Sequence, residues 1–203
     1  LMHVEGVKPG TLVRFAALDD YDGTTWGAAN DSRTESGPAD TFQKVGSEIA
    51  NPASGQAVDA TIELAEGYKS VWLPTVGALK SITFESDRLK QNADDFRYNL
   101  ATSTGVVPDG LQPGERFRFH AVLPKTDQVS EKGQMSNAPL VNSQAATAFQ
   151  PDATRLGSGS DSQIGQVLSV ARYLRDNGTF THGGAGYEEY RSGNSSKRLK
   201  EFI

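Results

Sequence analysis

The sequence has no cysteine among its 203 residues. A chain without thiols offers no thiolate nucleophile, no disulfide bond and no cysteine ligand for zinc. Cysteine catalysis within this chain is therefore excluded. The compartment is left open, because exported and cytosolic proteins alike can lack cysteine.

Long hydrophobic runs and a surplus of positive charge are also missing. No run approaches the roughly 18–20 apolar residues that cross a bilayer as a helix, so we expect no membrane contact by this segment. The 20 lysines and arginines are outnumbered by 25 aspartates and glutamates, and the net charge of −5 argues against a nucleic-acid partner. The 21 glycines exceed the usual share of about 7%, which favours a turn-rich globular chain.

Apolar and polar residues alternate most cleanly in two segments, 57–64 and 116–123. Alternation with period two predicts strands that have one buried face. That face would carry Val58, Ile62, Phe117 and Phe119. Weaker patterns predict strands at 12–18, 70–73, 79–84 and 96–100, with turn clusters such as 108–110 between them. We therefore expect residues 1–123 to form an antiparallel β domain, either a sandwich or a barrel-like sheet.

The character of the sequence changes in residues 124–160. This stretch is rich in Ser, Gln, Asn, Ala and Gly, and its apolar residues are scattered. Pro124, Pro139 and Pro151 would interrupt a helix. A segment of this length without periodicity is typical of a connector, so we expect a linker or a long surface loop.

A helix is predicted from Asp161 to about Asn177. Ser160 and Gln163 have the spacing of a capping box at its start, and Asn177 with Gly178 tolerates the left-handed conformation that ends many helices. Apolar side chains at spacings of three and four share one face: Ile164, Val167, Leu168, Ala171 and Leu174. We expect this face to be buried against the sheet or against a second copy of the chain.

A second helix is predicted at the end of the chain, where Ser195 or Ser196 could cap it. A helix of about two turns buries little by itself. We therefore expect that the sequence is a piece of a longer protein and that the glycine-rich segment after Gly183 is less ordered than the first helix. The predicted class is mainly β with a C-terminal α-helical segment, α+β in all.

The aspartate-rich segment before Gly23 superficially resembles a calcium-binding loop. An EF-hand loop has glycine at position six and glutamate at position twelve. With Gly23 at position six, Leu18 would occupy position one and Ala29 position twelve, so the pattern fails at both ends. We expect instead a tight Asp-Gly turn with Tyr21 and Trp26 packed beside it.

The three histidines, His3, His120 and His182, lie far apart in sequence and lack metal-binding spacing. His120 shares the polar face of a predicted strand with Arg116 and Arg118. These three side chains could contact an anionic polymer, although a solvated sheet face is the more common role of such a pattern. We assign no catalytic, cofactor-binding or metal-binding residue and expect no cofactor.

The aromatic residues Trp26, Tyr68 and Trp72 admit two interpretations. Exposed rings could form a platform on which sugars stack. Large aromatic side chains more often anchor a β core, because each buries a large apolar area. The sequence alone leaves both interpretations open.

Four segments of the chain resemble motifs of bacterial membrane-bound transglutaminase-like proteins. Residues 14–26 are similar to the pattern R-x-x-x-L-D-x-Y-D-G-x-x-W, which in that family lies in the extracytoplasmic part, ahead of the catalytic domain. Residues 72–77 are similar to the pattern W-L-P-x-x-G. Residues 170–183 resemble the helix and the Y-L-R-x-x-G-x-F-S-H-G stretch that lead into the transglutaminase-like core, and residues 193–199 resemble its continuation in actinobacterial members.

The resemblance implies that residues 161–203 begin a transglutaminase-like domain whose nucleophilic Cys, and later His and Asp, would follow Ile203. His182 precedes the nucleophile position and does not match the family's catalytic His, so no catalytic residue carries over. The parent would be an amide acyl-transferase or a cysteine protease, in which a thiolate attacks an amide and His acts as the base. This chain alone would be inactive.

We therefore expect a non-catalytic extracytoplasmic domain on the cell-envelope side of a membrane-anchored protein. Its partner would be the downstream transglutaminase-like domain, whose Cys-His-Asp site it would position or to which it would restrict access. An alternative is a cell-envelope module that binds glycan or protein through its Trp and Tyr residues. A third interpretation is a purely structural spacer.

Overall fold

The contacts of the chain divide it into two compact units. The computed structural model describes residues 1–21, 23–28, 41–91, 93–124, 144–178 and 195–202. The first unit, here the β unit, comprises Leu1–Asp19 and Ala28–Thr126. The second, here the helical unit, comprises Asp20–Gly27 and Asp127–Ile203. The fold is mainly antiparallel β with C-terminal helices, which confirms the predicted α+β class.

The strands and helices follow one another in a simple order. The described strands are β1 (Met2–Glu5), β2 (Asp20–Tyr21), β3 (Trp26–Gly27), β4 (Gln43–Lys44), β5 (Gly55–Leu64), β6 (Ser70–Leu73), β7 (Ala78–Phe84), β8 (Arg97–Asn99), β9 (Thr104–Leu111) and β10 (Arg116–Pro124). The described helices are α1 (Asp87–Gln91), α2 (Gln144–Gly157), α3 (Gln163–Asn177) and α4 (Ser196–Phe202). None of these helices, as far as the described ranges show, is long and apolar enough to cross a membrane.

The β unit contains two four-stranded sheets. The first sheet has the order β1-β5-β10-β7 and the second has the order β4-β8-β9-β6. Neighbouring strands in both sheets are antiparallel. Among the described strands, β2 and β3 form a separate two-stranded sheet, a hairpin of the helical unit.

The register of the first sheet follows the alternation in the sequence. Ile62 of β5 lies opposite Phe117 of β10, Ala60 lies opposite Phe119, and all four side chains are buried. The predicted inner face is thus confirmed for its central positions. Val58 is only half-buried, because it lies near the outer end of the pairing, where β5 begins.

The predicted strand at 12–18 is wrong. Only Arg14 pairs there, in an isolated bridge with Thr75, while Leu12 is 88% exposed. Both alternating faces of this segment carry apolar residues, so no single face specifies a register. The other weak predictions correspond to β6, β7 and the shorter β8.

The predicted turn cluster at 108–110 lies inside β9. Trp72 of β6 is opposite Val106 of β9, whereas Ser70, two residues earlier, is opposite Leu111, so β9 carries extra length between the two pairs. Gly110 has φ of 77°, the left-handed conformation that glycine adopts readily. Turn-forming residues therefore produce a β-bulge here, and the strand continues beyond them.

Both sheets contribute to one core cluster, which is the arrangement of a sandwich. The Phe84 ring of the first sheet meets the Phe96 ring edge-on at 5.7 Å. Tyr98 of the second sheet is fully buried, and its hydroxyl oxygen accepts a hydrogen bond from the Leu79 N–H at 3.0 Å. Burial raises the pKa of Tyr98 above its usual value of 10.0, although this hydrogen bond opposes the shift.

Helix α3 and its predicted end at Asn177 and Gly178 are confirmed, but the predicted N-cap and the predicted conformation of the C-cap are wrong. Ser162, not Ser160, is the N-cap, and its hydroxyl accepts a hydrogen bond from the Gly165 N–H at 3.0 Å. Gly178 ends the helix in an extended conformation with φ of −88°, so the left-handed cap is absent. The helix still satisfies one of its last carbonyls, because the Gly178 N–H donates to Leu174 at 2.9 Å.

Helix α2 lies within the stretch predicted to be a linker or loop, and Pro151 stands inside it. Proline lacks an N–H and removes one helical hydrogen bond, but it does not end this helix. Alanines at 145, 146, 148 and 153 favour the helical conformation, and the prediction gave them too little weight. The domain limits proposed from the sequence stay predictions.

Helix α3 packs against α2, a partner that the sequence does not predict. The Arg155 guanidinium lies 6.0 Å from the centroid of the Tyr173 ring. Gly157 is buried, and a Cβ built on it would lie 3.1 Å from the Gln166 Cβ, so the two helices approach closely there. Within one copy of the chain the apolar stripe of α3 is half-buried at most, and Val167 is 56% exposed; burial of this face against a second copy stays a prediction.

The predicted second helix corresponds to α4. Its first turn is closed by the Leu199 N–H, which donates to the Ser195 carbonyl at 2.9 Å. The glycine-rich segment after Gly183, for which we expected less order, lies outside the described residues, as do His182 and Ile203.

Candidate functional site

The outer face of the first sheet, here called the polar face, carries three cross-strand rows of polar side chains. The pairing of β1, β5, β10 and β7 sets these rows, because residues directly opposite each other share a face. The rows are Glu63 and Arg116 with the adjoining Glu85; Glu5, Thr61, Arg118 and Thr83; and Asp59, His120 and Ser81. A groove of about 400 Å³ runs over the second and third rows.

The arginines of the polar face are already paired with carboxylates. Arg116 binds Glu85 at 2.9 Å, Glu63 at 3.2 Å and Glu5 at 3.4 Å. These contacts raise the pKa of the Arg116 guanidinium, and the hydrogen bond to Glu85 is the largest cause. Arg118 lies 3.7 Å from Glu85. An anionic polymer would have to displace these carboxylates, so the structure favours the solvated sheet face over a polyanion site.

The third row brings Asp59, His120 and Ser81 onto neighbouring strands. His120 Nδ1 lies 2.9 Å from Asp59 Oδ1, and Ser81 is the cross-strand partner of His120 on the other side. The residue types are those of a serine-hydrolase triad, which sequence spacing alone could not have revealed. The contacts of the described residues include no hydrogen bond between Ser81 and His120, and both members of the His120–Asp59 pair are open to solvent. His120 therefore does not activate Ser81 in this arrangement.

The three aromatic residues considered from the sequence have different environments. Tyr68 is buried, its hydroxyl donates to the Trp72 carbonyl at 2.6 Å, and burial raises its pKa. Trp72 is half-buried, with its ring 6.0 Å from that of Phe42. Trp26, in the helical unit, is 43% exposed. Tyr68 is therefore a core residue, and Trp26 is the exposed ring of the three.

The hairpin of β2 and β3 occupies the segment that sequence comparison with calcium loops had singled out. The rings of Tyr21 and Trp26 stack at 4.8 Å, which confirms their predicted packing beside the turn. Gly23 has φ of 96°, as a tight turn requires. The carbonyl of Gly23 accepts a hydrogen bond from the Ser196 N–H of α4 at 2.9 Å. The hairpin and the C-terminal helix thus meet within the helical unit.

A buried ion pair was not predicted from the sequence. Glu115 is almost fully buried, and its Oε1 lies 2.5 Å from Arg88 Nε of α1. Its Oε2 accepts the Gln112 N–H at 2.8 Å, and Arg88 also donates to the Gly110 carbonyl. The ion pair therefore connects α1 to the bulge of β9 and to the β9–β10 turn. The sequence does not reveal this ion pair, because the two residues lie 27 positions apart and meet only in the folded chain.

Metal ligation finds no support in the described ranges, where no group of three or more His, Cys, Asp or Glu side chains converges. His3 lies 3.4 Å from Glu5 at the edge of the polar face. Comparisons with known protein families, curated proteins and solved structures gave no match for this chain.

Proposed function

We propose that the chain is the non-catalytic extracytoplasmic part of a membrane-anchored, transglutaminase-like protein, and that it positions or restricts access to a Cys-His-Asp site downstream of Ile203. The observation that carries the proposal is the hydrogen bond between Ser196 and Gly23. The first and last segments that resemble the family, 14–26 and 193–199, are distant in sequence. Parts of both meet in one compact unit, which supports reading them as pieces of one architecture.

Activity measurements on this chain and on the longer protein test the proposal together. This chain alone should produce no amine incorporation into glutamine substrates and no amide hydrolysis, because it has no thiol. The protein extended by the residues that follow Ile203 should contain the nucleophilic Cys and should catalyse amine incorporation or amide hydrolysis. Turnover by this chain that survives repurification would contradict the non-catalytic role.

Two variants of the extended protein separate positioning from mere attachment. Gly23→Val strains a backbone with positive φ and should disturb the contact with Ser196, so kcat/KM should fall at least about tenfold. Val71→Ala, at an exposed position of β6, is the matched control and should leave kcat/KM unchanged. Equal activities of both variants, with the folded state intact, would reject the positioning role.

The alternative function, a cell-envelope module that binds glycan, is favoured by one observation. Trp26 is 43% exposed and its ring stacks on that of Tyr21 at 4.8 Å, so it offers an exposed aromatic surface on which a sugar could stack. Glycan-array binding by this chain that is lost in Trp26→Ala and kept in Tyr68→Phe would establish this function. Absence of binding to the array would leave the positioning role as the better account.

A further inference from the structure

Among the described residues, those that pair with the outer edge of β7 cover only part of it. The Ile49 N–H donates to the Lys80 carbonyl at 2.8 Å, and the Ile82 N–H donates to the Ser47 carbonyl at 2.8 Å. Alternate residues of a strand direct their backbone groups to the same side. Phe84 therefore presents its N–H and C=O on the same edge, one rung beyond Ser47.

The segment before Ser47 does not supply that next rung. Val45 and Gly46 lead away to β4, which pairs with β8 of the second sheet. The chain thus crosses from one sheet to the other at this corner of the sandwich. The backbone–backbone hydrogen bonds found among the described residues include none between Phe84 and Val45.

A crevice of about 250 Å³ opens where the chain leaves the edge. Its floor consists of Ile82, Phe84 and Phe96, which are all buried core residues. Lys90 and Asp94 are exposed and lie on its rim with opposite charges. Since a cavity of about 150 Å³ can hold a benzene molecule, this one is large enough for a leucine-sized side chain.

We propose that this crevice binds a short extended peptide segment, which pairs with the backbone of Phe84 and inserts one apolar side chain onto the Ile82–Phe96 floor. Strand addition draws affinity from main-chain hydrogen bonds and specificity from a side-chain pocket beside the edge. Here the backbone edge of Phe84 and the side-chain pocket adjoin each other, because Phe84 belongs to both. A small apolar molecule would use the floor but would leave the edge of Phe84 without a partner.

The test is an amide NMR titration of the full chain with two N-acetylated, C-amidated tripeptides, Thr-Leu-Thr and Thr-Gly-Thr. The leucine peptide should shift the amide signals of Gly46 and Phe84 and bind at least about tenfold more tightly, because only it fills the crevice. Equal affinities, or shifts confined to other parts of the protein, would overturn the proposal. So would binding of indole at these amides without binding of either peptide.

A pair of glycine variants localises the effect. Gly46 lines the crevice, has no positive φ, and has open space around a built Cβ, so Gly46→Leu should fold and occlude the site. Gly159→Leu shares that open environment in the α2–α3 loop and is the matched control. The first variant should weaken binding of the leucine peptide at least about tenfold and the second should not. Unchanged binding of the leucine peptide to folded Gly46→Leu would reject the site. The comparison of the two peptides on the native chain tests the proposal independently of this variant.

Discussion

The β unit and the helical unit bury their side chains to very different extents. In the β unit, Ile62 and Phe117 lose all solvent exposure between the two sheets. In the described part of the helical unit, the only buried residues are two glycines, Gly157 and Gly165. A sheet face of period two can be covered completely by one opposing sheet, whereas a helical stripe needs several neighbours. Stability should therefore reside mainly in the β unit.

The largest expected effect tests that difference directly. Phe119→Ala should lower the free energy of unfolding by about 3–5 kcal/mol, because it opens a cavity between the sheets. Val167→Ala, on the half-covered stripe of α3, should change it by no more than about 0.5 kcal/mol. Urea unfolding followed by far-UV circular dichroism measures both. Similar losses in the two variants would mean that the helical unit has a core that the comparison overlooks.

Ion pairs should show the same contrast at a smaller scale. Arg88→Met leaves the buried carboxylate of Glu115 without its charged partner and should cost about 1.5–3 kcal/mol. Arg175→Met removes a solvent-exposed pair with Asp176, 2.7 Å long, and should destabilise the chain far less than Arg88→Met. The same denaturation experiment applies, and a larger loss for Arg175→Met would reverse the ranking.

The cap of α3 provides a test inside the helical unit. Ser162→Ala removes the acceptor for the Gly165 N–H and should destabilise the helix by about 1 kcal/mol. Ser160→Ala should cost no more than about 0.5 kcal/mol, since Ser160 is not the N-cap. Hydrogen exchange of the amides in α3 measures this local effect. Faster exchange in Ser160→Ala than in Ser162→Ala would restore the capping box predicted from the sequence.

The smallest effect appears only at alkaline pH. The pKa of Tyr98 is raised in the folded state by burial, so folding favours the neutral phenol. This contribution is fully present below pH 10.0, the usual pKa, and is lost as the pH rises through the higher folded pKa. Unfolding free energies measured from pH 9 to 11 should fall less steeply in Tyr98→Phe than in the native chain. Tyr173→Phe, at a half-buried position of α3, is the matched tyrosine-to-phenylalanine control.

The sequence predicts the regular strands better than it predicts the bulge of β9 or helix α2. Residues 57–64 and 116–123 reveal both strands and their buried face, because side-chain direction alternates whatever the partner strand is. The bulge at 108–110 contains the same residue types as a turn, so only the pairing of β6 with β9 distinguishes the two. The sequence does not predict helix α2, because the proline at position 151 is a residue that normally interrupts a helix, despite the alanines around it.

The candidate sites were harder to predict than the fold, for a related reason. Asp59, His120 and Ser81 come from three strands that are distant in sequence, so no spacing rule connects them. The crevice beside Phe84 depends on where the chain leaves a sheet edge, a property of the path and not of any motif. The stacking of Tyr21 with Trp26 was predictable, because both lie close to the same turn.

The hairpin of β2 and β3 gives the helical unit a discontinuous sequence, with consequences for synthesis. About 120 residues separate Gly27 from the start of α2, and ribosomes add about 5–20 residues per second. The hairpin therefore waits on the order of ten seconds for its helices, while most of the β unit is made in the interval. During this interval the Gly23 carbonyl lacks its hydrogen-bond donor, the Ser196 N–H, on the nascent chain. The contact between the hairpin and α4 can therefore form only after the strands of the β unit have been synthesised.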